Sequence, residues 1–389
     1  MIINIVKPEL PSLKQIQNEF ARTLDSGKVT NHSKNVILFE KNLKNFFSSK
    51  NVPVVFSNGE MALYHLIQAW RYKLKIENKK NITALVPSFT FSGTINALIL
   101  NNIKPIFCDI DETLTIDLTK ITHIDKNTRF IIPVSVYGNI PNLEKLRKLR
   151  KNIVRIIDSA PAFGSTYKKK YPHEFGLEEI YSFHATKIMT SMEGGCAITN
   201  DTKVNQYLRR LRDFGQFEKK IGNVDIPGLN SKMQEISAIV GNHNLKKFPQ
   251  ILNKRKKTIN KYKKFFGDLE KLKLIKNMKI NNDNFCSYLY FPIIVLKNLD
   301  RFQSFLLKND IVTRKYYTAV HDLKYYKSKF KCSEYSTCKC KKYCEKKIGL
   351  KMTEYVKNKI LALPLYSNMQ NKEINYMFKI INKFFKIKK

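Results

Sequence analysis

Short apolar runs alternate with helical patterns through the first half of the chain. Six brief runs, rich in β-branched and aromatic residues, predict strands; they are 52–56, 83–86, 105–108, 130–136, 153–157 and 180–183. Five segments with apolar residues at intervals of three and four predict helices; they are 12–24, 36–47, 61–70, 91–100 and 143–149. This alternation is typical of a mostly parallel sheet covered by helices on both faces. The predicted fold class is therefore α/β.

The pattern changes beyond Gly228. Residues 233–266 predict one long, heavily charged helix. After it, predicted strands alternate with predicted helices; the strands are 288–295 and 311–316, and the helices are 301–307 and 374–385. This second part predicts a smaller α+β domain. We therefore expect a large domain over residues 1–245 and a small C-terminal domain over residues 246–389.

Two reactive side chains follow predicted strands. Asp158 directly follows the run 153–157. Lys187 follows the run 180–183 and precedes a Gly-Gly pair and a further apolar run at 196–199. In parallel α/β sheets, ligands bind beyond the carboxyl ends of the strands, where both residues are expected. A desolvated lysine has a lowered pKa and can act as an amine nucleophile. Taken alone, one lysine among 70 basic residues is explained more simply as a solvated loop residue.

Two further features are expected at the same edge of the sheet. At Gly59 a strand turns into a helix, whose first N–H groups and positive end suit a phosphate. An aromatic loop, Pro87-Ser-Phe-Thr-Phe91, follows the next strand. A phosphate site, an aromatic face, an acid and a lysine are the parts that a pyridoxal phosphate enzyme requires. Each has a plain structural alternative, since Asp158 could cap a turn and Phe91 could be core. Together and in this order they favour the cofactor.

Length and composition indicate a globular protein without a membrane span. The chain has 389 residues, of which 43% are hydrophobic and 12% aromatic, enough for a large core and for about two domains. No apolar run approaches the roughly 20 residues that cross a bilayer. The N-terminus lacks the basic and apolar regions of a secretory signal. We expect a cytoplasmic protein with no membrane partner.

The formal net charge of +38 raises the alternative of a non-catalytic nucleic-acid-binding protein. Only 12 of the 70 basic residues are arginine, however, and the lysines are spread through every segment. Base and phosphate recognition relies on arginine forks more than on dispersed lysines. We therefore interpret the charge as a solvated surface that also attracts anionic substrates, and we expect no nucleic-acid partner.

The seven cysteines fall into two groups. Cys108, Cys196 and Cys286 lie singly in apolar contexts and are predicted to be buried. Four others crowd a lysine-rich segment; they are Cys332, Cys338, Cys340 and Cys344. Four thiols could hold zinc, but their spacings do not match the usual paired-ligand pattern. We expect an insertion at about 327–352 that is dispensable for chemistry, and no metal site.

The chain resembles the DegT/StrS-type family of sugar aminotransferases, which have the aspartate aminotransferase (type I) fold. The resemblance runs from residue 6 to about residue 385. Its motifs are Ser57-Asn-Gly-Glu-Met-Ala-Leu63, Val86-Pro-Ser-Phe-Thr-Phe91, Phe107-Cys-Asp-Ile-Asp111, Ile132-Pro-Val-Ser-Val-Tyr-Gly138, Asp158-Ser-Ala-Pro-Ala-Phe-Gly164, Ser182-Phe-His-Ala-Thr-Lys187 with Glu193-Gly-Gly195, Gly228-Leu-Asn-Ser-Lys-Met-Gln-Glu235, Thr313-Arg-Lys-Tyr-Tyr317 and Leu363-Pro-Leu-Tyr366.

The resemblance implies a role for each matching residue. Lys187 corresponds to the Schiff-base lysine and Asp158 to the partner of the pyridine nitrogen. The remaining cofactor-binding residues implied are Phe91 on the ring, Gly59, Glu60 and Ser182 on the phosphate, and Asn230 on the phosphate of a neighbouring subunit. The implied substrate-binding residues are Thr30, His184, Glu193, Tyr317 and His321. A residue that reaches across to a neighbour implies a homodimer with shared sites.

Three positions depart from the family's pattern. Glu60 replaces a serine or threonine, so its side chain must point away from the phosphate. Pro161 stands where the family often has Gln or His near the ring hydroxyl, and Lys232 replaces a common arginine.

The Lys232-Met pair and the His184 motif resemble the enzymes that make dTDP-4-amino-4,6-dideoxyglucose. The resemblance thus implies amino transfer from glutamate to a dTDP- or UDP-linked 4-keto-6-deoxy sugar for surface glycans. The alternative within the family is a 3-keto sugar.

Overall fold

A computed structural model of the chain describes residues 2–121, 124–216, 222–281, 284–329 and 349–387. Within them the chain forms two sheets, one of seven strands and one of three. The four clustered cysteines lie outside the described residues. The other three, Cys108, Cys196 and Cys286, are free and buried, as predicted. No helix in the described part of the chain is long and apolar enough to cross a membrane.

The seven-stranded sheet is mostly parallel, as the alternating pattern predicted. Its strands are β1 Val54–Phe56, β2 Thr83–Pro87, β3 Lys104–Cys108, β4 Thr128–Ile131, β5 Val154–Asp158, β6 Glu178–Ser182 and β7 Gly195–Ile198. They lie in the order β1-β7-β6-β5-β4-β2-β3. The pairs from β3 through β6 are parallel, whereas β7 runs antiparallel to both β1 and β6. The carboxyl ends of β2, β4, β5 and β6 therefore meet at one edge.

Helices cover both faces of this sheet. They are α1 Leu13–Asp25, α2 Lys34–Phe47, α3 Gly59–Lys73, α4 Ser92–Leu100, α5 Leu143–Arg147 and α6 Thr202–Leu211. Buried apolar residues of α3, α4 and α6 form one core with the sheet, and those of α5 form a second with Leu85 and Ile131. Strand residues buried on both faces explain why their sequences are continuous apolar runs rather than alternating ones.

The long helix α7, Glu235–Lys271, leads into the second sheet and spans the predicted domain boundary at residue 245. The second sheet has the order β10-β9-β8, all antiparallel. Its strands are β8 Ile275–Asn277, β9 Phe291–Val295 and β10 Ile360–Leu363. The accompanying helices are α8 Leu299–Lys308, α9 Lys324–Lys329, α10 Lys351–Lys357 and α11 Asn371–Phe385. This part is the smaller α+β unit that the sequence predicted.

Two predicted strands differ from the structure. The run 130–136 is a continuous strand only to Ile131; Val134 forms an isolated parallel bridge with Asp158, and a 3-10 helix follows at Val136–Gly138. The predicted strand 311–316 is wrong. Val312 donates its N–H to Ile3, whereas Arg314 exchanges hydrogen bonds with Ala362. Because successive residues pair with different segments, no continuous ladder forms.

Candidate active site

A cavity of about 450 Å³ opens at the carboxyl edge of the large sheet. Its walls bring together nine of the twelve predicted site residues, which are Gly59, Glu60, Phe91, Asp158, Ser182, His184, Lys187, Glu193 and Tyr317. They come from α3, the loop before α4, β5, β6 and the C-terminal part of the chain. Residues far apart in sequence thus share one site, where the parallel topology predicted it.

Lys187 lies in the loop after β6, where the backbone N–H of Lys187 bonds to the carbonyl of His184 at 2.9 Å. The side chain reaches the cavity wall. Burial lowers the pKa of its ammonium group, while the nearby carboxylates of Asp158 and Glu193 act in the opposite direction. A lowered pKa enlarges the fraction of neutral amine, which is the form that attacks a carbonyl.

Asp158 is the last residue of β5 and is only 5% exposed. One carboxylate oxygen accepts the Thr94 hydroxyl at 2.8 Å, and the other accepts the N–H of Ala160 at 3.1 Å. Burial raises the pKa of the carboxyl, and these two hydrogen bonds together with the charge of Lys187 oppose that rise. The site therefore holds a buried acid that lines the cavity and accepts hydrogen bonds from two donors.

The N-terminus of α3 forms the phosphate-sized end of the cavity. The Asn58 side chain accepts the N–H of Met61 at 2.9 Å and caps the helix. The N–H groups of Gly59 and Glu60 precede it in the first turn, where no intrahelical acceptor exists. A Cβ on Gly59 would lie 2.7 Å from the Ser182 Cβ, so glycine is required for this close approach. The result is a cradle of helix N–H groups and one hydroxyl, which suits a phosphate.

Gly195 supports the same cradle from β7. A Cβ there would lie 2.5 Å from both the Cα and the N of Gly59. We predict that Gly195→Ala pushes the first turn of α3 aside and weakens pyridoxal phosphate binding about tenfold, since overpacking costs about 1–3 kcal/mol. A fluorescence titration measures this. Gly267→Ala is the matched control, because a Cβ there meets nothing within 4 Å. Equal affinity in the two variants would contradict the prediction.

The Glu60 carboxylate lies near the first turn of α4. Its carboxylate oxygen and the Phe91 ring lie 3.3 and 3.4 Å from the point that a Cβ on Gly93 would occupy. The carboxylate is thus directed toward the start of α4, whereas Ser182 contacts Gly59. Phe91 itself is 60% exposed at the cavity mouth, so its ring is open to a ligand.

Tyrosines that the sequence analysis missed complete the cavity. Tyr290 and Tyr316 line it beside the predicted Tyr317, with a distance of 5.7 Å between the ring centroids of Tyr290 and Tyr316. Burial raises the pKa of Tyr290 to about 12, so its hydroxyl stays protonated. Tyr290 lies inside the predicted strand 288–295, which begins at Phe291 in the structure, and Tyr316 lies inside the motif 313–317; neither position had an assigned role.

Three predicted residues do not line the cavity: Thr30, Asn230 and His321. Thr30 and Asn230 are exposed. Asn230 does not cap α7 either, because Gln234 holds that position. Their assigned contacts remain predictions.

His321 makes other contacts in this structure. Its Nδ1 lies 2.6 Å from the Ser88 hydroxyl and its Nε2 lies 2.8 Å from Glu354. The side chains of His321, Asp322 and Glu354 form a group of potential metal ligands. Lys357 bonds to Asp322 at 2.5 Å and to Glu354 at 2.8 Å, so a lysine ammonium already balances both acids.

Relatives with named activities match two thirds or nearly all of the chain. The dTDP-4-amino-4,6-dideoxy-D-glucose transaminase of Shigella dysenteriae is 26% identical over 97% of this chain and 98% of its own. The UDP-4-amino-4,6-dideoxy-N-acetyl-beta-L-altrosamine transaminase of Helicobacter pylori is 30% identical over 66% of this chain and 68% of its own.

Solved structures confirm the fold. A Helicobacter pylori aminotransferase involved in the biosynthesis of pseudoaminic acid superposes with a TM-score of 0.85 at 23% identity, covering 99% of this chain and 100% of that one. An Escherichia coli GDP-4-keto-6-deoxy-D-mannose-3-dehydratase with bound hydrated PLP superposes with a TM-score of 0.84 at 21% identity, covering 98% and 99%. The type I aminotransferase fold predicted from the sequence is therefore confirmed.

The cavity fits pyridoxal phosphate. The N–H groups at the start of α3, where only glycine fits at position 59, suit the cofactor phosphate. The buried Asp158 carboxylate suits a protonated ring nitrogen, and the Lys187 amine suits an aldehyde. The family model of the DegT/DnrJ/EryC1/StrS aminotransferases matches residues 12–382. The chain belongs to this family and is a pyridoxal phosphate-dependent transaminase.

Proposed function

We propose that this transaminase moves the amino group of glutamate onto a nucleotide-linked 4-keto-6-deoxy sugar. The product is a 4-amino-4,6-dideoxy sugar for surface glycans, made in the cytoplasm, and the nucleotide is dTDP or UDP. The observation that carries the proposal is one cavity that holds Lys187, Asp158 and the Gly59 cradle together. The 4-amino-4,6-dideoxy products in the names of the Shigella dysenteriae and Helicobacter pylori relatives support the choice of sugar.

Each residue of the site has a separate role toward the cofactor. When bound, pyridoxal phosphate supplies an aldehyde to carry the amino group and a ring that withdraws electrons. Lys187 would hold that aldehyde, and its lowered pKa suits it to take up and return protons as general base and acid. Asp158 keeps a proton on the ring nitrogen. The Gly59 and Glu60 N–H groups and the Ser182 hydroxyl would hold the phosphate.

The sugar is expected on the open side of the cavity. His184 and Glu193 line the cavity with exposed side chains, and the His184 Nε2 lies 3.5 Å from the Glu193 carboxylate; Tyr317 lines it from a buried position. The Glu193 carboxylate accepts hydrogen bonds from sugar hydroxyls, and the Tyr317 hydroxyl donates one, because burial raises its pKa. Thr30 and His321 stay as predictions for the part of the substrate beyond the cavity.

An amino-transfer panel tests the proposed function. The purified enzyme is incubated with glutamate and with dTDP-, UDP- and GDP-linked 4-keto and 3-keto sugars, and products are identified by mass. We expect an amino sugar from a 4-keto-6-deoxy substrate. Amination of a 3-keto sugar alone would establish the alternative regiochemistry. Removal of oxygen without amino transfer would indicate a dehydratase and contradict the proposal.

We further propose a homodimer in which Asn230 binds the cofactor phosphate of the facing subunit. Asn230 is exposed and lies outside its own cavity, next to Lys232, whose ammonium pairs with Asp213 at 2.7 Å. Because the loop is held in place by this ion pair, its exposed amide is available to a neighbour. Cofactor affinity and dimerisation are then linked by mass action.

Asn230→Asp sets a carboxylate against that phosphate. We expect cofactor affinity to fall about tenfold, the size of one lost hydrogen bond to a charged group, with little change in the melting temperature of the apo form. Asn260→Asp introduces the same charge at an exposed position of α7 and serves as control. Unchanged affinity, or an active monomer in sedimentation, would exclude the shared site.

A further inference from the structure

Two threonine hydroxyls form a hydrogen-bonded chain that ends on Asp158. The Thr94 Oγ1 lies 2.8 Å from the Asp158 Oδ2, and the Thr90 Oγ1 lies 3.1 Å from the Thr94 Oγ1. The three side chains belong to residues that are 5%, 3% and 2% exposed for Asp158, Thr94 and Thr90. All three residues also line the cavity, so the hydrogen-bonded chain borders the space that a ligand would fill.

The protons in this chain have one consistent direction. An ionised carboxylate only accepts hydrogen bonds, so the single hydroxyl proton of Thr94 points to Asp158. The Thr94 oxygen is then left as an acceptor, and the Thr90 hydroxyl donates to it. Each bond polarises the next, and a hydrogen bond to a charged group is stronger than one between neutral groups.

The backbone fixes both hydroxyls independently of Asp158. Thr90 lies in the loop after β2, where its N–H bonds to the carbonyl of Ser88 at 3.1 Å. Thr94 lies four residues later, in the first turn of α4, with its N–H 3.3 Å from the Phe91 carbonyl. A spacing of four near a helix start places the two side chains one above the other. Asp158 is carried by a different element, β5, and meets a donor already in place.

We propose that Thr94, oriented by Thr90, is a positioning residue that fixes the Asp158 carboxyl and keeps it ionised. This inference deepens the proposed function, because it rests on Asp158 as the group that meets the ring nitrogen of the cofactor. It gives a role to Thr94, which lies outside the sequence motifs, and to Thr90, which lies inside one of them without an assigned role.

Other groups act on the same carboxyl. Burial raises the pKa of Asp158, whereas the Thr94 hydroxyl, the Ala160 N–H and the Lys187 charge lower it. Tyr317 also faces it, as a neutral phenol whose own pKa burial raises. Without the Thr94 hydroxyl, fewer groups oppose the rise that burial causes in the pKa of Asp158. The carboxyl then takes up its proton at higher pH and no longer holds a positive charge on the ring.

The test is a titration of Asp158 in the full-length, cofactor-free protein by carbon-13 NMR of labelled aspartate, with Asp158→Asn identifying the signal. Thr94→Val keeps the volume and removes the hydroxyl, and Thr94→Ser keeps the hydroxyl. We expect Thr94→Val to raise the pKa of Asp158 by about one unit, a tenfold change in proton affinity, as for one charge-assisted hydrogen bond. Thr94→Ser should stay near the wild-type value and Thr90→Val should lie between them.

A second readout uses the enzyme with its cofactor. The acidic limb of the pH profile of kcat should move to higher pH in Thr94→Val and return with Thr94→Ser. If Thr94→Val has the wild-type titration, or if Thr94→Ser shifts as far as Thr94→Val, the proposal is wrong. Should Thr94→Val fail to fold, judged by its melting curve, a wild-type titration in Thr90→Val overturns the ordered chain. The NMR result is independent of Asp158's catalytic role, which Asp158→Asn turnover tests separately.

Discussion

Lys187→Ala abolishes turnover and leaves the fold intact. This is the largest effect we expect from any single substitution in the chain. The side chain lines the cavity, while the backbone of its loop is held by the hydrogen bond from the Lys187 N–H to the His184 carbonyl. Alanine removes the amine without removing that bond. The variant should therefore melt within a few degrees of the wild type.

The size of the loss follows from the roles of the amine. A positioned general acid–base group contributes about 10²–10⁴ in rate, and in the proposed role Lys187 would also hold the cofactor covalently. We expect kcat to fall at least about a thousandfold. The covalent link to the cofactor should also disappear, so that borohydride no longer traps cofactor on the protein.

The measurements are amino-sugar production and borohydride trapping followed by mass spectrometry. Lys203→Ala is the matched control, because that lysine is exposed on α6 and does not line the cavity. It should keep full activity and full trapping. Normal turnover in Lys187→Ala would remove the assignment of the site.

The sequence was sufficient to predict the large sheet and most of its site. Apolar runs of four to seven residues between helical segments predict parallel strands, and parallel strands bring their carboxyl ends together. Asp158 and Lys187 could therefore be placed in one cavity although they are 29 positions apart in the sequence. The antiparallel direction of β7 was not predictable, because a short apolar run carries no information about direction.

The remaining parts of the site depend on packing between distant segments. Tyr290 and Tyr316 enter the cavity from the C-terminal part of the chain, and no periodicity in their own segments indicates that approach. Thr94 was hidden for a different reason, since a threonine in an apolar helix is easily counted as core. Its hydrogen bond to Asp158 crosses from α4 to β5, a contact that only the tertiary structure determines.

Asp158→Asn should bind the cofactor but react slowly. Asparagine is almost isosteric: its single carbonyl oxygen can still accept the Ala160 N–H, and its amide N–H can donate to the Thr94 hydroxyl once that hydroxyl turns, so the wall of the cavity is preserved. What is lost is the negative charge that stabilises a proton on the ring nitrogen. A neutral ring withdraws electrons poorly, and proton abstraction by Lys187 becomes harder.

We expect kcat to fall about a hundredfold, the equivalent of about 3 kcal/mol for one charge-assisted interaction. Asp268→Asn is the control, because Asp268 is an exposed carboxylate of α7, and it should leave kcat unchanged. Unchanged rates in Asp158→Asn would mean that another group protonates the ring.

The pH dependence gives a second test of the same residue. Burial raises the pKa of Asp158, so the carboxyl becomes neutral as the pH falls through that raised value. Above this pKa the wild type has its charge and full activity, and below it the wild type loses both. Asp158→Asn has no carboxyl to titrate at this position. The kcat of Asp158→Asn divided by the wild-type kcat should therefore rise toward one as the pH is lowered. A value of this ratio that is constant with pH would show that Asp158 is not the titrating group.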